Sequence, residues 1–151
     1  MNVRPYKSGD YQGLLLFLRG AFNEIGNGFL LDGKDADVRD IEHIYRGDRA
    51  SFYVIDDQGE IHGCIGLRKF SDEIAELKRL YIAREYRGLG LGRTLCVRAI
   101  KDARDFGYKY LRLDTTRKSQ AAAALFKQLE FYEIERYNSD PFAEIFMEMT
   151  L

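Results

Sequence analysis

A chain of 151 residues can bury a core of its own, and 46% hydrophobic residues beside 31% charged ones exclude a disordered segment. A formal net charge of −1 supplies no overall basic field of the kind that draws nucleic acid or an anionic membrane surface. Two cysteines, Cys64 and Cys96, form neither a CxxC pair nor a His-bearing metal spacing, so they read as reduced core thiols of a cytoplasmic protein without a metal site.

Residues 2–6 read as a short edge strand, because Pro5 cannot donate to a ladder. Ser8 or Asp10 is placed to cap a helix that runs to about Phe22 around the apolar stretch 14–18. The glycine-spotted loop "NEIGNGFLLDGKD" follows. Val38, Ile41 and Ile44 or Tyr45 then keep helical spacing in a second helix ending near Gly47. "SFYVI" (51–55), the turn "DDQG" (56–59) and "EIHGCIGL" (60–67) predict a hairpin.

"EIAELKRLYI" (73–82) predicts a strand whose alternation slips. Ala75 and Leu77 share one face by counting, whereas Leu80 and Ile82 fall on the other. A β-bulge near Lys78–Arg79 would return all four to one side and free backbone N–H groups; a central strand apolar on both faces is the other reading. After three glycines comes the clearest helix, with Leu91, Leu95, Ala99, Ile100, Ala103 and Phe106 in one stripe and Gly107 as its stop. "YLRLDT" (110–115) is the next strand, Ser119 caps a helix through Leu129, and "FYEIERY" (131–137) and "AEIFMEMTL" (143–151) close the chain as strands. The order β-α-α-β-β-β-α-β-α-β-β predicts a mixed sheet with helices on its faces, an α/β or α+β layer fold in one domain, 1–151. The longest apolar run noted, "AAAALF" (121–126), is far too short to span a membrane, and "MNVRPYKSGD" lacks the apolar core of a signal peptide.

The stretch "EYRGLGLGRTL" (85–95) carries the chemistry. A helix start offers orphan N–H donors and the positive end of the helix dipole. Gly88, Gly90 and Gly92 remove side chains that would hold an anion off the backbone, and Arg87 and Arg93 add forked cations. From Arg84 to Asp105 six basic residues face three acidic ones, against −1 for the whole chain. A phosphate, and better a pyrophosphate, suits such a loop. The spacing fits neither a dinucleotide fingerprint, which would need glycine at Arg93 or Leu95, nor a P-loop.

On these residues the chain resembles motif A of the GNAT N-acetyltransferase superfamily: Arg87-Gly88-Leu89-Gly90-Leu91-Gly92 follows the strand text "ELKRLYI", with "ALFKQLEFYEIERY" downstream. The resemblance runs from about residue 50 to the C-terminus. It implies the GNAT-like acyl-CoA N-acyltransferase fold and an acetyl-CoA-dependent enzyme in which an amine attacks the thioester directly. It implies that the pyrophosphate is cradled by Arg87, Gly88, Leu89, Gly90, Leu91, Gly92 and Arg93, with Thr94 at the helix start. The backbone of Leu80, Tyr81 and Ile82 would pair with the pantetheine arm, in a gap where the sheet splits beside "YLRLDT". Glu76 is the first candidate for proton acceptor or ammonium ligand, with Glu73 as the spare. In the second motif Ser119 and Phe126 stand near the cofactor. Phe126 lacks the hydroxyl with which many relatives protonate the departing thiolate, and Tyr132 and Tyr137 are the substitutes considered. His43 and His62 read as surface or structural residues.

The acceptor is expected between residues 22–33 and 137–142, where Glu24, Asp32 and Asp140 suit a cationic amine and Phe29, Tyr137 and Phe142 an apolar portion. A small primary amine or amino-acid-like molecule is the implied partner. A protein N-terminus, a CoA-binding module with lost catalysis, and homodimer formation are left open.

Overall fold

The computed structural model describes residues 1–26 and 28–151. Seven strands make one sheet: β1 (Asn2–Pro5), β2 (Ser51–Asp57), β3 (Glu60–Lys69), β4 (Ile74–Ile82), β5 (Tyr110–Thr115), β6 (Tyr132–Ile134) and β7 (Ile145–Thr150). Their spatial order is β1-β2-β3-β4-β5-β7-β6, with β4 and β5 parallel and every other neighbouring pair antiparallel. The helices are α1 (Tyr11–Glu24), α2 (Ile41–Ile44), α3 (Leu91–Asp105) and α4 (Gln120–Gln128). This is the expected element order and the expected mixed α/β class, and β1 with its Pro5 is an edge strand.

Two cores sandwich the sheet. On one face the α3 stripe (Leu95, Cys96, Ala99, Ile100, Ala103) and Phe126 of α4 pack on Leu67, Leu77, Leu111 and Met147. On the other, Leu14, Leu18 and Phe22 of α1 meet Val38, Ile41, Tyr45, Phe52 and Val54. Gly107 ends α3 in the left-handed region (φ 84°), and the Tyr108 N–H reaches back to the Ala103 carbonyl at 3.1 Å, which satisfies one of the helix's orphan acceptors. Among the described residues no helix is long and apolar enough to cross a membrane.

The phase slip on β4 is a bulge. Opposite it, β3 advances two residues from Cys64 to Gly66 while β4 runs three from Lys78 to Tyr81. Arg79 takes the extra step at φ 62°, unusual for a residue with a β-carbon. Ala75, Leu77, Leu80 and Ile82 consequently all pack against the core that lies under α3.

Four boundaries depart from the sequence reading. The second helix is a 3-10 segment, Ala36–Asp40, followed by the single turn of α2, because Asp35 and Asp37 turn inward to bind an arginine described below. Strand β6 is only three residues long, and the chain beyond it leaves the sheet so that Tyr137 can dock elsewhere. Strand β7 begins at Ile145. Ser119 occupies the N-cap of α4 but makes no side-chain cap bond; its hydroxyl lies 3.3 Å from that of Thr116 instead.

Cys64 and Cys96 are free and fully buried, and burial pushes each thiol up to about 12. A thiolate-selective disulfide reagent at pH 8 will therefore label neither in the native protein and both in denaturant. Rapid native labelling would show a core that opens.

Candidate active site

Strands β4 and β5 pair only from Ile74 to Glu76 on one side and from Tyr110 to Arg112 on the other. Beyond that point β5 stays bound to β7 as far as Thr115, and β4 follows β3 to Ile82. The sheet therefore splits, and β4 past Glu76 has no strand on its β5 side. Leu80, Tyr81, Thr115, Thr116, Ser119 and Phe126 line the resulting cleft, which Phe22, Ile25, Lys34 and Asp35 border on one side and Asp140 and Phe142 on another. Asn27, within the 22–33 connection expected at the acceptor, lies outside the described residues.

The glycine loop follows the end of β4. A short 3-10 turn, Arg84–Tyr86, leads into it, and Gly90 is the N-cap of α3 at φ 79°. A β-carbon on Gly88 or Gly90 would meet no protein atom within 4 Å, so the volume beside these main-chain amides is left free. One on Gly92 would press Leu125 at 3.3 Å, since there the first turn of α3 lies close to α4. Leu89 is 62% exposed, and Arg93 and Thr94 stand exposed in that turn. Arg87 is pinned: its Nε donates to the Ile82 carbonyl at 2.9 Å and its Nη1 to Glu24 Oε1 at 3.1 Å. An open, glycine-flanked helix start with a cation on each side fits a diphosphate. By the same bond Glu24, expected at the acceptor, instead ties the end of α1 to the loop.

Glu76 lies deeper than an acid at a cleft mouth. It is 2% exposed; Arg68 donates to Oε1 through Nε (3.1 Å) and Nη2 (3.0 Å), and the Tyr137 hydroxyl donates to Oε2 at 2.8 Å. Burial, and then the Glu76 charge, push the Tyr137 phenol far above its usual range, so Tyr137 keeps its proton. Edge-on contacts with Phe70 and Phe146 hold its ring. Neither Glu76 nor Tyr137 belongs to the cleft wall. Glu73 is exposed and paired with Lys109 at 2.6 Å. Tyr132, on the far edge strand, donates to Glu148 at 2.6 Å. Phe29 packs on Phe22 with ring centroids 5.1 Å apart. Asp32, exposed, pairs with Arg39. His62 stacks on Tyr86, and the His43 amide donates to Asp40, the residue that caps α2. Phe126 lines the cleft and meets Phe131 edge-on at 5.6 Å.

Five charged side chains of the cleft, Lys34, Asp35, Lys78, Arg79 and Asp114, were not among the expected site residues. Arg79 sends its guanidinium to Asp35 (2.7 Å), to both oxygens of Asp37, and toward the Lys34 carbonyl. Asp35 also accepts the Leu30 N–H and the Lys34 ammonium, each at 2.8 Å, and Tyr45 donates to Asp37 at 2.5 Å. This network fastens segment 30–37, which borders the cleft, to the bulge on its floor. Lys78 and Asp114 face each other where the two strands part. The slip in alternation was the one sequence signal for Lys78 and Arg79; nothing local marked their partners.

Helices pack on both faces of a mixed sheet that splits between β4 and β5, and an open, glycine-flanked helix start follows β4. Residues 19–131 match the Acetyltransferase (GNAT) family, and the chain belongs to it. It is 29% identical over 104 residues to YjgM, an uncharacterized N-acetyltransferase of Escherichia coli K12, covering 67% of this chain and 62% of that one. The chain thus spans less than two thirds of that relative's length. An acetyltransferase of the GNAT family from Staphylococcus aureus Mu50 superposes with a TM-score of 0.90 at 22% identity, covering 99% and 98% of the two chains. A putative acetyltransferase from Salmonella typhimurium, solved with its cofactor acetyl-CoA, does so at 0.75 and 17% identity over 99% and 93%. Among the described residues no three His, Cys, Asp or Glu side chains gather to hold a metal ion.

Proposed function

We propose that residues 1–151 act as one unit that transfers the acetyl group of acetyl-CoA to a primary amine of a small acceptor. The observation that carries this is the succession of two features: β4 has no strand on its β5 side past Glu76, and the loop with open space at Gly88 and Gly90 follows its end, where Arg87 Nε donates to the Ile82 carbonyl. Bound acetyl-CoA supplies an activated thioester carbonyl. The chain's own part is to hold it and to bring the amine up. Loop amides with Arg93 face the diphosphate while Arg87 braces the loop on Glu24 and the Ile82 carbonyl, and the main chain of Leu80 and Tyr81, on the side that β5 leaves, faces the pantetheine arm. Orientation of this kind contributes much of an acyl transfer's acceleration.

Glu76 enters as a positioning residue, because Arg68 and Tyr137 already use both of its oxygens. Glu76→Gln keeps an acceptor for Tyr137 but leaves the Arg68 cation without its charge. The expected result is a roughly tenfold loss of kcat/KM with the acidic limb of the pH–rate profile unmoved. A loss of about 10²–10⁴ together with a shifted limb would make Glu76 the proton acceptor instead.

Phe126 favours a second reading. It places no hydroxyl near the departing sulfur, so the chain could bind CoA without useful turnover. A thiol with pKa about 8.5 leaves tolerably without an acid, which keeps transfer the first reading. A CoA-release assay over an amine library, run beside thermal shift with CoA alone, tests both. Stabilisation with turnover supports transfer, stabilisation without turnover supports the binding module, and neither overturns both.

A further inference from the structure

A cation in a site that must admit an ammonium group needs a reason. Lys78 is such a cation. The ladder between β4 and β5 ends at Glu76 opposite Arg112, and Lys78 and Asp114 are the next residues on the same face, one on each side of the opening. Lys78 Nζ lies 3.5 Å from Asp114 Oδ2, with no hydrogen bond between them among those of the described residues, and the side chains are only 17% and 11% exposed. Asp114 Oδ2 also accepts the Asn138 amide at 2.6 Å.

The other cations of the cleft are committed. Lys34 holds Asp35 at 2.8 Å and lies over the rings of Phe22 and Phe142. Arg79 is taken up by Asp35 and Asp37. Asp140 accepts the Phe142 N–H through Oδ1. Lys78 is the loosely held cation, sitting where β4 and β5 part, and as it stands it repels a plain amine cation.

We propose that Lys78 selects acceptors that carry a carboxylate beside the reacting amine, its ammonium taking that carboxylate while Asp114 takes the acceptor's ammonium. This rests on the acetyl-transfer reading above and names the acceptor class for it. The exchange of partners is balanced. The carboxylate now facing Lys78 is replaced by one of the same kind, and Asp114 gains a cation in place of the one it loses, so no buried charge is left uncovered. An amino acid places its two groups on one carbon, on the scale of the gap between Lys78 and Asp114. The apolar remainder of the acceptor lies toward Phe22, Ile25 and Phe142.

The test pairs α-amino acids with side chains of graded size, each against the amine left by its decarboxylation, and reads the ratio of kcat/KM within each pair. The wild-type enzyme is expected to favour the carboxylated member at least tenfold. Lys78→Met should erase that ratio, by slowing the amino acid and raising the plain amine, and Lys78→Arg should keep most of it. A wild-type enzyme that uses the plain amines equally well overturns the proposal without any variant, as does a Lys78→Met enzyme with an unchanged ratio. Where turnover is too slow to read, stabilisation of the CoA-loaded protein by the same pairs gives the ratio, and equal stabilisation again overturns it. Failure of CoA itself to stabilise the protein would instead remove the acetyl-transfer reading.

Discussion

Gly90→Asp is expected to weaken CoA binding by about a hundredfold at low salt while leaving the fold intact. Gly90 caps α3 in the left-handed region, and aspartate is among the few residues with a β-carbon that tolerate it, so the cost in stability should stay near 1 kcal/mol. The new side chain meets no protein atom near its β-carbon and therefore enters the free space over the amides. There its carboxylate opposes a diphosphate. A unit charge at about 5 Å from another, with an effective dielectric of about 20, contributes about 3 kcal/mol, or roughly two powers of ten. Gly90→Asn is the control: it has the same shape and conformational tolerance without the charge. Calorimetric titration of CoA into both variants separates the effects. The Asp variant should lose far more than the Asn variant, and the difference should shrink in 0.5 M salt as screening shortens the interaction. Equal losses would mean that bulk matters and charge does not. No loss in either would mean that the loop holds no phosphate.

What could be read from the sequence was whatever is written locally. The bulge on β4 shows as a slip in alternation because one inserted residue reverses every later side chain, and the structure has it at Arg79. Glycine spacing and flanking arginines marked the helix start in the same local way. The depth of Glu76 was not written locally. Its Arg68 partner comes from the neighbouring strand across the β3–β4 turn, and Tyr137 comes from a segment whose alternation read as strand but which leaves the sheet. Nor could pattern alone pair Arg79 with Asp35 and Asp37, more than forty residues earlier in a loop whose charges look solvated. Long-range burial decides such positions, and it follows from how three elements pack together.

That last network yields the second large effect. An arginine inside a strand at positive φ persists only where surrounding contacts over-determine it. Here the contacts are two carboxylates, 2% and 9% exposed, and a carbonyl that accepts the Cys64 thiol at 3.1 Å. Arg79→Met therefore leaves Asp37 in the interior with only the Tyr45 hydroxyl and takes from Asp35 one of its two cations, the other being Lys34, and the expected loss is about 3–5 kcal/mol. Arg79→Gly removes the backbone strain and still leaves Asp37 without a cation, so it should recover at most about 1–2 kcal/mol of that. The pH dependence follows in sign. Burial alone would raise the Asp37 carboxyl, but the Arg79 guanidinium, joined by the Tyr45 hydroxyl, outweighs it and holds the group below the ordinary range. Asp35 is held low in the same way: against its burial stand the Leu30 N–H, Lys34 and Arg79. Such carboxyls bind more protons unfolded than folded. Their stabilisation is fully present above the unfolded value of about 3.9 and is lost as pH falls through the lower folded one. Wild-type denaturant midpoints should consequently fall steeply below about pH 4. In Asp37→Asn, which has less ionised carboxylate to lose, the curve should start lower at pH 7 and descend more gently. Parallel curves would show that the Asp37 charge contributes nothing to holding the bulge. If Arg79→Gly proved as stable as the wild type, the clamp between the acceptor-side segment and the floor of the cleft would be ornamental, and the shape of β4 would have to come from its own backbone.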